Sequence, residues 1–300
     1  ALPIFSRTML FQDPPRHRRL REAVAAAFTP QRIRQLTDHI GVVADRLIDG
    51  FERRKQIDFI ADFAMPLPVS LIAEMLGVPV AAAPRMCAWT EALVQAGAPG
   101  VTDQAVLQAG GEAIAAMAGF FGDRIADERG RPGETLLAGL LEADVEGGSL
   151  DDEELLGTCM LLMIAGHETT VNLLGNGLHL LLTHPDQRDL LQRHPELMPS
   201  AVEEMLRFES PVQRGTYRRT TEPVELGGTT IPAGSLVGAL IGAANRDPDV
   251  FQNPDCFDIR RTTNPHLAFG LRDRQFLLPG SNILQPAMRG CLGGTTRLVL

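Results

Sequence analysis

Leu161-Leu162-Met163-Ile164-Ala165-Gly166-His167-Glu168-Thr169-Thr170 is the stretch on which the fold turns. An apolar helical run passes straight into a polar break, in what its flanks make the most buried part of the chain. Buried polar groups persist where they are hydrogen-bonded or used. Gly166 has no side chain, so a flat ligand or dioxygen can approach the backbone, and the Thr169 hydroxyl can compete for a carbonyl and bend the helix. Upstream, Ser149-Leu150-Asp151-Asp152 reads as a capping box, and the acids at 151–154 complement the positive end of the helix that follows. One long helix over about 150–182 is expected, stopped by Thr183-His184-Pro185.

Working outward, apolar spacing predicts helices over 29–51, 66–76, 86–95 and 104–129, the last broken by Arg129-Gly130-Arg131-Pro132-Gly133. Beyond Pro211 the texture changes to short extended pieces. Val224-Glu225-Leu226-Gly227-Gly228-Thr229-Thr230-Ile231 reads as a hairpin and 235–241 as a further strand. The expected fold class is mainly α, with small β-hairpins in the C-terminal third, built as one domain without internal repeats.

Composition narrows the function. At 300 residues the chain can bury a large core, and 44% hydrophobic with 22% charged residues is ordinary globular usage. A net charge of −9 leaves no basic stripe for phosphates, so no nucleic acid is expected as partner. The apolar run 155–165 is too short to span a bilayer and ends at His167 and Glu168, so no membrane anchor is visible. Cys87, Cys159, Cys256 and Cys291 lie far apart with no C-x-x-C pair, which suggests neither a disulfide framework nor structural zinc. A cytoplasmic setting is expected.

Other catalytic classes fail on particular residues. Val171 stands where an H-E-x-x-H zinc motif beginning at His167 needs its second histidine. Gly175-Asn176-Gly177 lacks the third glycine of a dinucleotide loop, and no G-x-S-x-G elbow occurs.

Four segments recur in one order: Ala165-Gly166-His167-Glu168-Thr169-Thr170, Glu204-Met205-Leu206-Arg207, Ala244-Asn245-Arg246-Asp247-Pro248 and His266-Leu267-Ala268-Phe269-Gly270. In that order they resemble a bacterial cytochrome P450, over most of the chain up to Gly270. The resemblance implies a P450-like helical fold, incomplete here. Residues 1–270 would form a partial P450 domain and 271–300 an aberrant or inserted haem-loop region. The segment Phe11-Gln12-Asp13-Pro14-Pro15-Arg16-His17 opens the chain, so truncation at the N-terminus is expected.

The same resemblance implies the chemistry. Relatives are soluble haem-thiolate monooxygenases. They bind haem b, take electrons from a ferredoxin-type donor, activate dioxygen and hydroxylate or epoxidise an apolar small molecule. Ala165 and Gly166 would lie over the haem, Thr169 would hydrogen-bond the bound dioxygen, and Glu168 would belong to the proton-delivery path. His17 and Arg21 match the family's D-P-P-x-H-x-x-L-R pattern and would pair with the haem propionates, as would Arg218, with Arg219 as its alternative. Glu204 and Arg207 would form a buried structural pair joined by a third arginine, either Arg260 or Arg261.

The chain departs from the family after Phe269-Gly270. Relatives continue F-G-x-G-x-H-x-C-x-G, with cysteine as the axial iron ligand. Here Leu271-Arg272-Asp273-Arg274-Gln275-Phe276 follows, and phenylalanine occupies the cysteine position. The thiol that comes later is Cys291, in Gly290-Cys291-Leu292-Gly293. Either an insertion loops out and Cys291 ligates iron, or the sequence from about 271 is aberrant. In the second case the chain is a haem-free or inactive fragment, at most a helical binding protein, and no thiolate-type carbon monoxide band is expected from it.

Overall fold

The protein, seen here as a computed structural model, is described over residues 6–270 except 52, 53, 99, 131, 132, 134 and 147. It divides into two compact units, with the boundary inside one helix between Val171 and Asn172.

The first unit is helical. It contains α1 (Arg16–Ala27), α2 (Pro30–Phe51), a π turn at Ile60–Ala64, α3 (Pro66–Met75), α4 (Ala83–Gly97), α5 (Gln104–Glu128), α6 (Leu136–Glu142) and the start of α7 (Asp152–Thr183). Local chemistry sets the ends. Proline sits in the first turn of α3 and α4, where its missing N–H costs nothing. Past the end of α3, Gly77 takes φ +64°, Val78 N–H donates to Ala73 O and Gly77 N–H to Glu74 O, the paired bonds of a glycine-terminated helix. Asp103 caps α5 through Ala105 N–H, and Thr135 caps α6 through Ala138 N–H. Leu20, Phe63, Leu67, Met86, Met117, Phe121, Leu137 and Met160 fill the core.

Helices α4 and α5 approach so closely that a Cβ at Gly110 would collide with that of Ala96. Of the described residues, α5 alone is a helix long and apolar enough to cross a membrane by length and composition. The sequence reading looked for such a run only in 155–165. On α5, Gly110, Ala113, Met117, Phe121 and Ile125 form a buried stripe, with three- and four-residue spacing.

The second unit holds the rest of α7, then α8 (Pro185–Arg193), α9 (Met198–Phe208), β1 (Arg218–Arg219), β2 (Val224–Leu226), β3 (Thr229–Ile231), β4 (Leu236–Val237) and the short α10 (Ile241–Ala244). Strands β2 and β3 pair antiparallel around Gly227 and Gly228, both at positive φ, as a two-residue hairpin requires. The strand expected over 235–241 is shorter. Only Leu236 and Val237 pair, with Arg219 and Arg218, and the chain coils into α10 at Ile241. Met198, Ala201, Val202, Met205 and Leu206 bury one face of α9, while Phe208, Phe257 and His184 make a ring cluster with centroids 5.2–6.1 Å apart.

Candidate active site

The first turn of α7 is built around Glu154. Asp151 Oδ1 accepts Glu154 N–H at 2.8 Å and Glu154 Oε2 accepts Asp151 N–H at 3.2 Å, a reciprocal box. The box therefore falls two residues later than the expected Ser149–Asp152 one, because the helix starts at Asp152, which makes Asp151 the N-cap and Glu154 its partner three residues on. The Glu154 side chain is 1% exposed and also receives Arg16 and Arg19 of α1. Burial alone would raise its pKa, but the bonds from Arg19, the Asp151 N–H and Arg16 outweigh it and hold the carboxyl below the ordinary range. The basic run of α1 is thus sorted by face. Arg16 and Arg19 grip α7, Arg18 pairs with Glu22, and His17 and Arg21 lie partly buried one turn apart.

Further along α7 the polar break stays helical. His167 turns inward, 5% exposed, with Nδ1 2.7 Å from Met163 O, and burial lowers its pKa. Ala165, Glu168, Thr169 and Thr170 remain partly open and Gly166 exposed, on a helix whose preceding turns are buried. Burial pushes the Glu168 carboxyl upward. The Thr169 hydroxyl donates to Ala165 O at 2.9 Å, a bond back along the helix that competes with the backbone ladder. Gly166 has a second role that the sequence did not reveal. A Cβ there would lie 3.1 Å from Ile72 Cγ1 and 3.2 Å from Cδ1, so α3 packs directly on this glycine.

In the second unit Glu204 and Arg207 are fully buried, joined by two hydrogen bonds of 2.8 Å. The other Arg207 donors go to the carbonyls of Asn245, Pro254 and Cys256, so all five guanidinium N–H groups are used. Glu204 in turn accepts Arg261 Nε at 3.0 Å, Asn264 Nδ2 at 3.2 Å and Asp258 N–H at 3.1 Å. Arg261 is the third arginine; Arg260 bonds Asp258 instead. Cys256 takes part through its carbonyl, so its side chain is not what the network needs.

Arg218 is exposed on β1, donating to Thr216 Oγ1 at 2.7 Å and Tyr217 O at 3.1 Å, while Arg219 is drawn to Gly234 O at 2.6 Å. Of the described cysteines, Cys159 is fully buried with its thiol pushed up to about 12, Cys87 is raised by burial, and Cys256 is exposed. None lies in the turn after His266. Cys291 and the rest of 271–300 lie outside the described residues. Within the first unit, the partly open small and polar groups at 165–170 of α7 are of the kind a haem's oxygen face takes, and His17 and Arg21 of α1 are of the kind its propionates take.

Comparison with known proteins gives the family. The family model described as Cytochrome P450 matches residues 115–194 and 190–277. Cytochrome P450 107B1 of Saccharopolyspora erythraea is 44% identical over 262 residues, 87% of this chain and 63% of that protein. Cytochrome P450 monooxygenase PikC of Streptomyces venezuelae is 43% identical over 265 residues, 87% of this chain and 62% of that one. Among solved structures, P450BioI in complex with hexadec-9Z-enoic acid ligated acyl carrier protein superposes with a TM-score of 0.90 at 38% identity. That match covers 98% of this chain and 75% of the other. The first unit carries an acid-and-threonine break in a core helix, and the second a buried Glu-Arg-Arg network. The chain belongs to the cytochrome P450 family. It spans 63% and 62% of the length of the two relatives.

Proposed function

We propose that residues 6–270 are the scaffold of a haem-thiolate monooxygenase that hydroxylates or epoxidises an apolar small molecule. The carrying observation is the strip Ala165, Gly166, Glu168 and Thr169, left open on the core helix with a threonine hydroxyl turned back to Ala165 O. Haem b, when bound, supplies the dioxygen chemistry. The chain's own residues supply the surroundings. Ala165 and Gly166 offer a close backbone surface. The Thr169 hydroxyl, now donating to Ala165 O, can turn its proton to another acceptor by rotating its side chain. Glu168, with its carboxyl pKa raised by burial, holds a proton at a higher pH than an exposed glutamate and can pass it on. His17 and Arg21 would pair with the propionates when haem is bound, and Arg218 carries the same assignment from its match to the family. Electrons come from a ferredoxin-type donor, and the setting is the bacterial cytoplasm.

A second reading is favoured by one observation, the loss of the F-G-x-G-x-H-x-C register after Gly270. It makes the chain as written a haem-free or inactive P450-like fragment, at most a helical binding protein. One experiment separates the two. The variant Arg272→Gly/Arg274→His/Phe276→Cys/Leu278→Gly rewrites the loop to the family pattern. Monooxygenase function predicts a thiolate-type carbon monoxide band in that variant after hemin loading. Failure to take up hemin in both chains leaves the fragment reading.

A further inference from the structure

Two successive acids on α9 point at different partners. Glu204 enters the arginine network, while Glu203 bonds His266, with Oε2 2.8 Å from Nε2 and the His266 side chain 5% exposed. The other ring nitrogen, Nδ1, accepts Ala268 N–H at 3.3 Å. A neutral imidazole that accepts at Nδ1 carries its proton on Nε2, so the ring donates to Glu203 and is held at both ends. A second tether lies one residue on. Leu267 N–H donates to Asn245 Oδ1 at 2.7 Å, and Asn245 Nδ2 donates to Ser210 Oγ at 2.8 Å; Asn245 O in turn accepts from Arg207, and Ser210 Oγ donates to Leu206 O of α9. Gly270 N–H closes the turn on Leu267 O at 2.8 Å, with Gly270 at φ +80° and the Phe269 ring 6.0 Å from that of His266.

Three of the amides in this turn therefore have fixed acceptors: the Asn245 side chain, rooted outside it, the His266 ring, held from α9 by Glu203, and the Leu267 carbonyl. Such an arrangement fixes a direction, since a turn needing only stability could close on its own carbonyls. We propose that Glu203, His266 and Asn245 are positioning residues for the cofactor loop: they set the place and heading at which the chain leaves Phe269 and Gly270. The inference rests on the haem reading above.

The test uses the full chain. His266→Phe keeps a ring beside Phe269 and removes both nitrogens; Asn245→Ala removes the second tether; His266→Gln restores a donor at the Nε2 position; Glu203→Leu breaks the pair from the other side at a half-exposed residue. Amide hydrogen exchange at 267–270 is expected to speed up about tenfold in His266→Phe, Asn245→Ala and Glu203→Leu, with α9 unchanged, and to recover in His266→Gln. Hemin titration, followed by absorbance, is expected to show half-saturation at about tenfold higher concentration in the same variants and recovery in His266→Gln. Unchanged exchange at 267–270 overturns the proposal. So does unchanged hemin affinity in a variant whose turn exchanges fast, since the contacts are then packing alone. If the unsubstituted chain takes up no hemin, the haem reading fails, and the exchange experiment still decides whether the turn is held as described.

Discussion

Arg261 Nε lies 3.0 Å from Glu204 Oε2, 57 residues away in sequence, and with Arg207 it surrounds a carboxylate that has no exposure to water. A buried ion held this way is hydrogen-bonded on both oxygens, by side chains and by a backbone amide. Its removal strands two guanidinium groups. Glu204→Ala is expected to cost about 3–5 kcal/mol. Arg260→Ala, one residue from the network, is expected to change stability by less than about 0.5 kcal/mol. Chemical denaturation of both variants measures the contrast; equal midpoints would refute the buried network around Glu204.

Glu154 gives a pH-dependent prediction. Its carboxyl pKa is depressed in the folded chain, so its contribution is fully present above the ordinary carboxylate range and is lost as pH falls through the depressed value. Glu154→Gln keeps the shape and removes the charge. At neutral pH it is expected to destabilise by about 1–3 kcal/mol, with the difference from the parent chain shrinking as the medium becomes acidic. Unfolding curves at several pH values measure it, and a difference independent of pH would contradict the ion-pair account.

How much of this was legible in the sequence depends on distance along the chain. Helix positions followed from local signals such as Pro66, Asp103 and Thr135, and the hairpin from Gly227-Gly228. The long helix and its break at Gly166 were readable from apolar spacing alone. Partners far apart were not. Nothing local says that Arg16 and Arg19 reach Glu154 while His17 and Arg21 do not, because face selection on α1 depends on where α7 lies. For the same reason Arg260 and Arg261 were indistinguishable until the chain around Glu204 was closed. Asn245 and His266 stood in recognised segments, yet their bonds to Leu267 and Glu203 have no sequence signal beyond those residue types. The strand at 235–241 was overread because β-branched and apolar residues there predict extension without telling how few of them find a partner.

Gly166 is expected to be intolerant of size. A Cβ there lies 3.1 Å from Ile72 Cγ1, closer than ordinary packing, so Gly166→Val is expected to cost about 1–3 kcal/mol. Ile72→Ala in the same chain opens the space. The double variant is therefore expected to be more stable than the sum of the single changes predicts, by a coupling of about 0.5–3 kcal/mol. Strict additivity in thermal unfolding would place the origin of the Gly166 requirement elsewhere.

Thr169 is tested where turnover can be read, in the chain with its loop rewritten at 272, 274, 276 and 278. Thr169→Ala removes a hydroxyl whose bond among the described residues is to Ala165 O, so the fold and hemin affinity are expected to stay as they are. Electrons from the donor protein are expected to appear increasingly as hydrogen peroxide, with less product per NADH oxidised. Unchanged coupling would remove Thr169 from the proton path.

The central claim is that the chain carries the scaffold of a haem monooxygenase while its sequence after Gly270 is out of register for the axial thiolate. The reduced carbon monoxide difference spectrum of the hemin-loaded chain reads that ligand directly. The expected result is no thiolate-type band in the chain as written and a clear one once Phe276→Cys is introduced with the other three loop changes. A thiolate-type band in the unaltered chain that disappears in Cys291→Ser would contradict the account and establish Cys291, carried on an insertion, as the iron ligand.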